Sequence, residues 1–211
     1  MSDYPIYLNL RDKKVLLVGG GAVGRQKISG LLEAGARLQL VSPTIHADIE
    51  PAVQNGSLAW ERRSYQTSDL EGAVLVIAAT DDEPLQRRIA EESRARSLWV
   101  CRADHGAESD FTVPAGFRRG DLQVAISTGG CAPAVSKRVR QQLESAVGEE
   151  WGVLTRLAKA ARAVVLQWPL AQRTAFWDKV ASDEFIEIIR RDGEERAGAQ
   201  LKEWMYGNNS F

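Results

Sequence analysis

Short apolar runs alternate with amphipathic segments through the first half of the chain. The runs are short and, at residues 73–79, continuous, as in strands covered on both faces, and the segments between them have the spacing of helices. The predicted strands are residues 15–18, 37–41, 57–61, 73–79 and 98–101, and the predicted helices are residues 23–34 and 83–96. Strands that alternate with helices indicate a parallel sheet with right-handed crossovers.

The pattern changes after about residue 110. Two extended segments, residues 111–114 and 122–126, flank a turn-like stretch at residues 118–121, which predicts a hairpin or a pair of edge strands. A helix is expected over residues 133–147, and the spacing is helical from residue 149 onwards, interrupted at Pro169 and Gly193. We therefore expect three parts, namely an α/β domain at 1–110, a segment of extended chain and one helix at 111–148, and a helical tail domain at 149–211.

A glycine-rich turn lies directly between the first predicted strand and the first predicted helix. Read as G-x-G-x-x-G, Gly19 permits a tight turn, Gly21 lets the backbone approach a pyrophosphate, and Gly24 allows close packing of helix on strand. The helix would direct its N–H groups at the phosphates. The sequence thus predicts a Rossmann-type α/β domain that binds a dinucleotide; the alternative is a glycine turn that merely closes a strand–helix unit.

The second predicted strand does not identify which dinucleotide binds. Many NAD enzymes end this strand with an acidic residue that binds the adenosine ribose. Residues 41–44 contain no Asp or Glu, and no Arg follows immediately to favour a 2′-phosphate. Ser42 or Thr44 can bind the ribose through hydroxyl or backbone groups, so NAD and NADP are not distinguished here.

Polar residues follow two further strands at the edge where a cofactor would lie. Thr80 or Asp81 is expected to cap the helix that begins at residue 83, and Thr80 is also a candidate cofactor contact. Asp104 follows the fifth strand and is either a solvated turn residue or a general base. His105 is either a second proton-transfer group or a loop histidine that faces solvent.

Composition narrows the class of protein. The 211 residues are 44% hydrophobic and 26% charged with a net charge of −1, which predicts no general affinity for nucleic acid or an anionic membrane. We expect no signal peptide and no transmembrane segment. The two cysteines, Cys101 and Cys131, predict no disulfide framework and no metal cluster, and they favour a cytoplasmic location.

Basic residues concentrate from the end of the fifth strand to the helix at 133–147, and three of them lie within that helix. Such a set is either a solvated face or a binding surface for a substrate that carries several carboxylates. The residues are Arg102, Arg118, Arg119, Lys137, Arg138 and Arg140.

Taken together, the ordered motifs resemble one family. The sequence is similar to precorrin-2 dehydrogenases, which include stand-alone enzymes and the N-terminal module of siroheme synthase. The segments that carry the resemblance are residues 4–10, 15–27, 32–36, 41–43, 77–82, 125–133 and 176–177.

The resemblance implies an activity and an assembly. Members of this family oxidise precorrin-2 to sirohydrochlorin with NAD, and some also insert ferrous iron as ferrochelatases. They are homodimers in which the segment after the Rossmann domain exchanges with the partner, and the helical tail covers the active-site cleft. The resemblance therefore implies that residues 111–148 are a dimerisation segment after an NAD-binding Rossmann domain at 1–110. A non-catalytic NAD-sensing module is a weaker alternative. A generic hydroxy-acid dehydrogenase is weaker still, because the chain lacks the catalytic His that such enzymes carry near a substrate domain.

The same resemblance implies roles for individual residues. Asp104 matches the carboxylate assigned to proton removal, and the basic residues would bind the acetate and propionate arms of the tetrapyrrole. The expected cofactor contacts are Gly19, Gly21, Ala22, Val23, Gly24, Pro43, Thr44 and Thr80. The expected substrate contacts are Arg118, Arg119, Ser127, Thr128, Gly129 and Lys137.

The chain also departs from the family pattern. Cys101 stands where relatives commonly carry Asn, Arg102 replaces a more apolar residue, and Thr128 stands where Ser is frequent. The change at Cys101 bears on the chelatase activity more than on the dehydrogenase. Within 211 residues we expect no methyltransferase module, so a full siroheme synthase is not predicted.

Overall fold

The structure, a computed structural model, describes residues 3–103 and 108–207. The chain divides into two compact units, Met1–Val113 and Pro114–Phe211. Asp104 and His105 lie outside the described residues.

The first unit is a parallel sheet with helices on both faces, as the alternating pattern predicts. In its described part, five strands pair in the order β3-β2-β1-β4-β5, and all four pairings are parallel. The strands are β1 (Lys14–Gly20), β2 (Arg37–Ile45), β3 (Ala59–Glu61), β4 (Ala73–Ala78) and β5 (Trp99–Arg102), and the helices are α1 (Ala22–Glu33), α2 (Glu50–Gln54) and α3 (Glu83–Arg94). The predicted Rossmann-type fold is confirmed.

Both faces of the sheet are buried, which explains why its central strands are apolar without alternation. Leu17 and Leu40 pack with Ile28 of α1 on one face. Leu16 and Val76 pack with Ile89, Ala90 and their neighbours at α3 on the other face. Because β1 pairs with β2 on one side and β4 on the other, the strand order reverses beside β1, and a crevice opens there at the carboxyl ends of the strands.

Strand β2 is longer than its apolar pattern predicts. It continues from Val41 to Ile45, because the register of β1 on β2 shifts after Val18 and Gly20 then pairs with Ile45. Ser42, Pro43 and Thr44 therefore belong to the strand and do not follow it. The short helix α2 was not predicted.

The second unit begins with an antiparallel hairpin of β6 (Ala115–Arg119) and β7 (Leu122–Ile126). The hairpin is confirmed, but the prediction of its first strand at 111–114 is wrong. The turn predicted at 118–121 is confined to Gly120 and Asp121, since Arg118 and Arg119 lie within β6. Gly120, with φ of 57°, forms a two-residue turn with Asp121 that pairs Arg119 with Leu122. The position of this turn fixes the register, so the first strand ends at residue 119.

Four helices complete the second unit in its described residues. They are α4 (Pro133–Ala146), α5 (Glu150–Val165), α6 (Leu170–Val180) and α7 (Asp183–Tyr206), and α7 is interrupted at Gly193, where φ is 80°. Phe176 and Phe185 are completely buried in a core formed by α5, α6 and α7. The Phe185 ring lies 4.9 Å from that of Trp204, and the Phe176 ring lies 5.4 Å from that of Trp168. Within residues 3–103 and 108–207, no helix is long and apolar enough to span a membrane.

A buried carboxylate holds the chain between β3 and β4. Asp69 accepts hydrogen bonds from Arg63 Nη1 at 2.9 Å, Arg63 Nη2 at 2.6 Å and the Gln66 backbone N–H at 2.8 Å. Burial by itself raises the pKa of Asp69, but the hydrogen bonds from Arg63 and Gln66 outweigh it, so the pKa lies below its ordinary value. The ionised form is therefore the one that the fold stabilises.

Replacing Asp69 by Asn is expected to lower the free energy of unfolding by about 2–3 kcal/mol at neutral pH, since it removes charge-assisted hydrogen bonds. A carboxyl group whose pKa is depressed on folding stabilises the fold above its unfolded pKa of about 3.9, and this contribution is lost as the pH falls through the folded pKa. Urea unfolding of both proteins should therefore show a gap at neutral pH that narrows below about pH 4. If the two proteins differed in free energy of unfolding by the same amount at neutral pH and below about pH 4, the stabilising ion pair between Arg63 and Asp69 would be contradicted.

Candidate cofactor site

The glycine turn lies at the crevice between the carboxyl ends of β1 and β4. Gly19 has a φ of 108°, and a Cβ placed on it would lie 2.2 Å from the carbonyl oxygen of Ala79. A Cβ on Gly24 would lie 2.1 Å from the carbonyl oxygen of Gly19. Both distances are far shorter than a van der Waals contact, so the protein's own packing requires glycine at these two positions.

Gly21 differs from these two glycines. Its φ of −77° suits any residue, and a Cβ there would meet no protein atom within 4 Å. The packing of the described chain gives no reason for glycine at this position. Open space over a glycine in this turn is what the close approach of a ligand to the backbone requires.

The helix that follows Gly21 presents unsatisfied amides to this space. The first helical hydrogen bond runs from the Arg25 N–H to the Gly21 carbonyl at 2.9 Å, and no side chain caps this end of α1. The first turn also contains no acidic residue. The N–H groups of Ala22, Val23 and Gly24 and the positive end of the helix dipole are thus suited to an anion, and they fit the pyrophosphate of a dinucleotide.

The end of β2 supports the turn from the other side. The buried Ser42 hydroxyl accepts a hydrogen bond from the Gly20 N–H at 3.1 Å and donates one to the Thr44 carbonyl at 2.7 Å. The His46 N–H donates to the Gly20 carbonyl at 2.7 Å. The Ser42 side chain is therefore occupied with holding the turn. Pro43 and Thr44 are exposed beside it, and their contact with the cofactor stays a prediction.

The loop after β4 borders the crevice on the opposite side. Asp82 caps α3 by accepting a hydrogen bond from the Leu85 N–H at 3.0 Å, so the expectation that Thr80 or Asp81 forms the cap is wrong. The Thr80 hydroxyl accepts from the Asp82 N–H at 3.3 Å, and the Thr80 carbonyl accepts from the Gln86 side chain. Thr80 itself stays partly exposed at the strand edge, as a cofactor contact requires.

The two unusual residues at the end of β5 are both buried. Burial raises the pKa of the Cys101 thiol, so the thiol is protonated at neutral pH and packs as a small apolar side chain. The Arg102 side chain is 1% exposed and forms an ion pair with Glu108. Its Nη2 lies 3.9 Å from a Glu83 carboxylate oxygen. Arg102 is therefore an internal residue and does not belong to a solvated basic face.

In the second unit, hydroxyl groups organise the loop before α4. The Ser127 hydroxyl accepts a hydrogen bond from the Gly129 N–H at 3.1 Å. The Thr128 hydroxyl lies 3.0 Å from that of Ser136 and accepts from the Ala132 N–H at 3.3 Å. Gly129 has a φ of 62°. These contacts give the loop a fixed shape, and its role in substrate binding stays a prediction.

The predicted substrate-binding cations differ in what surrounds them. Arg119 donates to the carbonyls of Glu144 at 3.1 Å and Val147 at 3.2 Å, so its guanidinium stabilises the end of α4. Arg118 and Lys137 are exposed. Arg118 and Lys137 are therefore better placed than Arg119 to bind carboxylates.

One residue near the crevice was missed by the sequence interpretation. Arg62 follows β3, and its guanidinium carbon lies 5.8 Å from the centroid of the Trp60 ring. The Trp60 indole N–H donates to the Ser42 carbonyl at 2.9 Å, which fixes this pair beside the end of β2. The pairing of β3 with β2 brings Arg62 beside the end of β2. The sequence offered one indication of this residue, an Arg directly after a short predicted strand.

Comparison with known proteins identifies the family. A family model for NAD(P)-binding domains matches residues 6–115, slightly more than half of the chain. A model for the central part of sirohaem biosynthesis proteins matches residues 119–146. The chain belongs to this NAD(P)-binding family, with a sirohaem-biosynthesis segment after the nucleotide-binding domain.

Individual relatives agree with this assignment. The siroheme synthase of Photorhabdus laumondii subsp. laumondii is 34% identical over 204 residues, and that of Pseudomonas aeruginosa strain LESB58 is 35% identical over 209 residues. The matches cover 95% and 98% of this chain but 43% and 45% of the relatives, so the chain spans less than half their length.

A solved structure is similar over its whole length. The structure described as SirC, precorrin-2 dehydrogenase, matches with a TM-score of 0.75 and 25% identity, over 95% of this chain and 100% of that chain. The family resemblance and the fold class expected from the sequence are confirmed.

Replacing Gly21 by Ala is expected to raise the dissociation constant for NAD at least about tenfold, because the new methyl group enters the space above the helix amides. The free energy of unfolding should stay within about 0.5 kcal/mol, since the protein leaves room for a Cβ. Calorimetric titration and urea unfolding measure the two quantities.

Gly30→Ala is the matched control, because Gly30 lies in the same helix and a Cβ there also meets nothing within 4 Å. It should leave NAD affinity unchanged and stabilise the helix by about 0.5–1 kcal/mol. Unchanged NAD binding in Gly21→Ala would show that the glycine turn is not the cofactor site.

Proposed function

We propose that this chain is an NAD-dependent dehydrogenase that oxidises precorrin-2 to sirohydrochlorin. The observation that carries the proposal is the match along the whole length of SirC, because it includes both the glycine turn and the segment that follows the sheet. The uncapped start of α1 and the space over Gly21 support the cofactor half of the reaction independently of any relative.

In this reaction the substrate loses a hydride and a proton. NAD, when bound, supplies the hydride acceptor. The amides of Ala22, Val23 and Gly24 bind its pyrophosphate, and the edge formed by Thr44 and Thr80 orients the rest of the molecule. The C–H bond of the macrocycle breaks with its electron pair leaving as the hydride, and an accompanying proton leaves to a base.

Asp104 is the base in this proposal. It follows β5 at the carboxyl end of the sheet in sequence, and it matches the family's proton-accepting carboxylate. An ordinary aspartate has a pKa of about 3.9 and is ionised at neutral pH, so it is able to accept the proton.

Arg118 and Lys137 bind the carboxylate arms of the substrate, together with the loop at Ser127, Thr128 and Gly129. Both cations are exposed, and each charge-assisted hydrogen bond to a carboxylate contributes about 1.5–3 kcal/mol. Arg119 contributes indirectly, by holding the hairpin to the end of α4.

The protein acts as a homodimer in the cytoplasm. Ser136 is the buried residue of α4, a helix that the structure describes throughout, while Val135 is 51% and Leu143 is 38% exposed. Cover from a second copy explains this exposed apolar side of α4. Two free thiols, Cys101 and Cys131, accord with a reducing compartment.

The activity is tested by anaerobic incubation of the protein with freshly made precorrin-2 and NAD, following the absorption of reduced nicotinamide and of sirohydrochlorin together. The proposal predicts that both appear in equal amounts. Binding of NAD with neither product would contradict the proposed reaction and would favour a sensor. Addition of Fe²⁺ to the completed reaction then tests the ferrochelatase alternative.

Asp104→Asn is expected to lower kcat by about 10²–10⁴-fold, because it removes the general base, and to leave the NAD dissociation constant unchanged. Steady-state kinetics and calorimetry measure these effects. Asp178→Asn, the same change at an exposed position in α6, is the matched control and should have normal kcat. Normal turnover in Asp104→Asn would remove this residue from the mechanism.

Leu143→Glu is expected to halve the molar mass measured by light scattering at micromolar concentration, because it places a charge on the exposed apolar side of α4. Leu170→Glu is the control, since Leu170 is 70% exposed at the start of α6 and should leave the dimer intact. A wild-type protein that is monomeric under these conditions would refute the dimer.

A further inference from the structure

The last residue of β5 carries a buried positive charge. The Arg102 side chain is 1% exposed and forms an ion pair with Glu108, and its Nη2 lies 3.9 Å from a Glu83 carboxylate oxygen. Among residues 3–103 and 108–207, the Nε and Nη2 atoms of Arg102 have no hydrogen-bond partner. A buried charge that is only partly satisfied destabilises a fold. Packing alone therefore does not explain why this strand ends with an arginine.

The chain at Ser109 and Asp110 lies along the edge of β5. The Asp110 N–H donates a hydrogen bond to the Val100 carbonyl at 2.8 Å, and the Asp110 carboxylate accepts one from the Val100 N–H at 3.0 Å. The Ser109 hydroxyl accepts from the Arg102 N–H at 2.9 Å and donates to the Arg102 carbonyl at 3.2 Å. These bonds fix the two residues on the strand.

Helix α3 and strand β4 hold the chain at two further points. Arg94 of α3 donates to the Glu108 carbonyl and, at 3.2 Å, to an Asp110 carboxylate oxygen. The Ala103 N–H donates to the Ala78 carbonyl at 2.9 Å, at the end of β4 that borders the crevice. The chain is therefore fixed at Ala103, beside the crevice, and again at Glu108.

The proposed base belongs to the sequence between these two fixed points. Residues 104–107 separate Ala103 from Glu108, Asp104 is the first of them, and all four lie outside the described part of the chain. A short connection with both ends held has fewer conformations than one held at a single end. The contacts at Ala103 and Glu108 therefore bear on the proposed base.

The ion pair accounts for the fixed point at Glu108. The guanidinium lies inside the protein, so moving the Glu108 carboxylate away would leave a buried charge unpaired. An apolar side chain at position 102 would place no such requirement on Glu108. The buried charge of Arg102 therefore constrains the chain that follows β5.

We propose that Arg102 is a positioning residue, whose ion pair with Glu108 fixes the chain on both sides of Asp104 and thereby places the proton-accepting carboxylate. The inference rests on the proposed function and deepens it. A general base acts only within hydrogen-bond reach of the proton it removes, and small displacements lower the rate steeply. Because Arg102 is buried, it acts through Asp104 and not by contact with the substrate.

The test compares Arg102→Met with the wild-type protein in the anaerobic assay. We expect kcat to fall at least about tenfold, while the KM for precorrin-2 and the dissociation constant for NAD change less than about twofold. The urea midpoint should stay equal or rise, because an apolar side chain of similar length replaces a buried charge and the remaining Glu108 is exposed. A residue with a merely structural role would not lower kcat while stability is kept.

Three further variants sharpen this test. Glu108→Gln removes the same ion pair and should lower kcat to a similar extent, so it decides the outcome if Arg102→Met does not fold. In Asp104→Asn, adding Arg102→Met should lower kcat no further, since both act through one carboxylate. Arg63→Met is the matched control, because it removes the ion pair with the buried Asp69 and should lower the urea midpoint with kcat unchanged.

Amide hydrogen exchange provides a measurement independent of turnover. In Arg102→Met the Asp110 amide, which is bonded to the Val100 carbonyl, should exchange at least about threefold faster than in the wild-type protein, while amides of β1 keep their rates. Unchanged exchange at Asp110 would show that Arg102 does not hold this part of the chain.

The outcomes separate this inference from the proposed function. Normal kcat in Arg102→Met or Glu108→Gln, with Asp104→Asn impaired, would overturn the role of Arg102 and leave the reaction intact. A further fall in kcat when Arg102→Met is added to Asp104→Asn would also overturn it, because Arg102 would then act independently of the base. Normal kcat in Asp104→Asn would overturn the proposed base, and this inference with it.

Discussion

The close contact of backbone atoms around the glycine turn is the constraint on which the rest of the first unit depends. The Gly19 backbone lies against the Ala79 carbonyl, and the first turn of α1 lies against the Gly19 carbonyl at Gly24, so neither position has room for a Cβ. The Ala79 N–H donates to the Val18 carbonyl at 2.7 Å, which joins β4 to β1 directly before the turn. These contacts place the start of α1 at the crevice. The N–H groups of this uncapped helix start are then suited to an anion, with no side chain dedicated to it.

The same turn also determines how β2 ends. Because Gly20 donates to the Ser42 hydroxyl and accepts from the His46 N–H, β2 continues past its apolar residues and carries Thr44 to the edge of the crevice. The Ser42 carbonyl in turn receives the Trp60 indole, which fixes the position of Arg62. The glycine turn, the end of β2 and Trp60 are therefore held together by one connected set of hydrogen bonds.

Local patterns were sufficient to predict most of the sheet and the glycine turn, because strand and helix periodicities and the G-x-G-x-x-G spacing are properties of adjacent residues. Features set by pairing were not predictable in this way. The first strand of the hairpin was predicted too early in the chain, because its observed register is fixed by the turn at Gly120. Strand β2 was predicted too short, because its last residues are held by hydrogen bonds to the turn between β1 and α1. Arg62 was missed because its proximity to Ser42 requires knowing that β3 lies beside β2. The role of Asp104 is still a prediction.

The central claim is that the first-turn amides of α1 hold the cofactor. Amide hydrogen exchange of the protein with and without saturating NAD tests this claim most directly. We predict that exchange at Ala22, Val23 and Gly24 slows at least about tenfold on binding, while amides in α7 of the second unit keep their rates. If NAD binds and these three amides exchange as before, the cofactor lies elsewhere and the first-turn amides of α1 do not hold it.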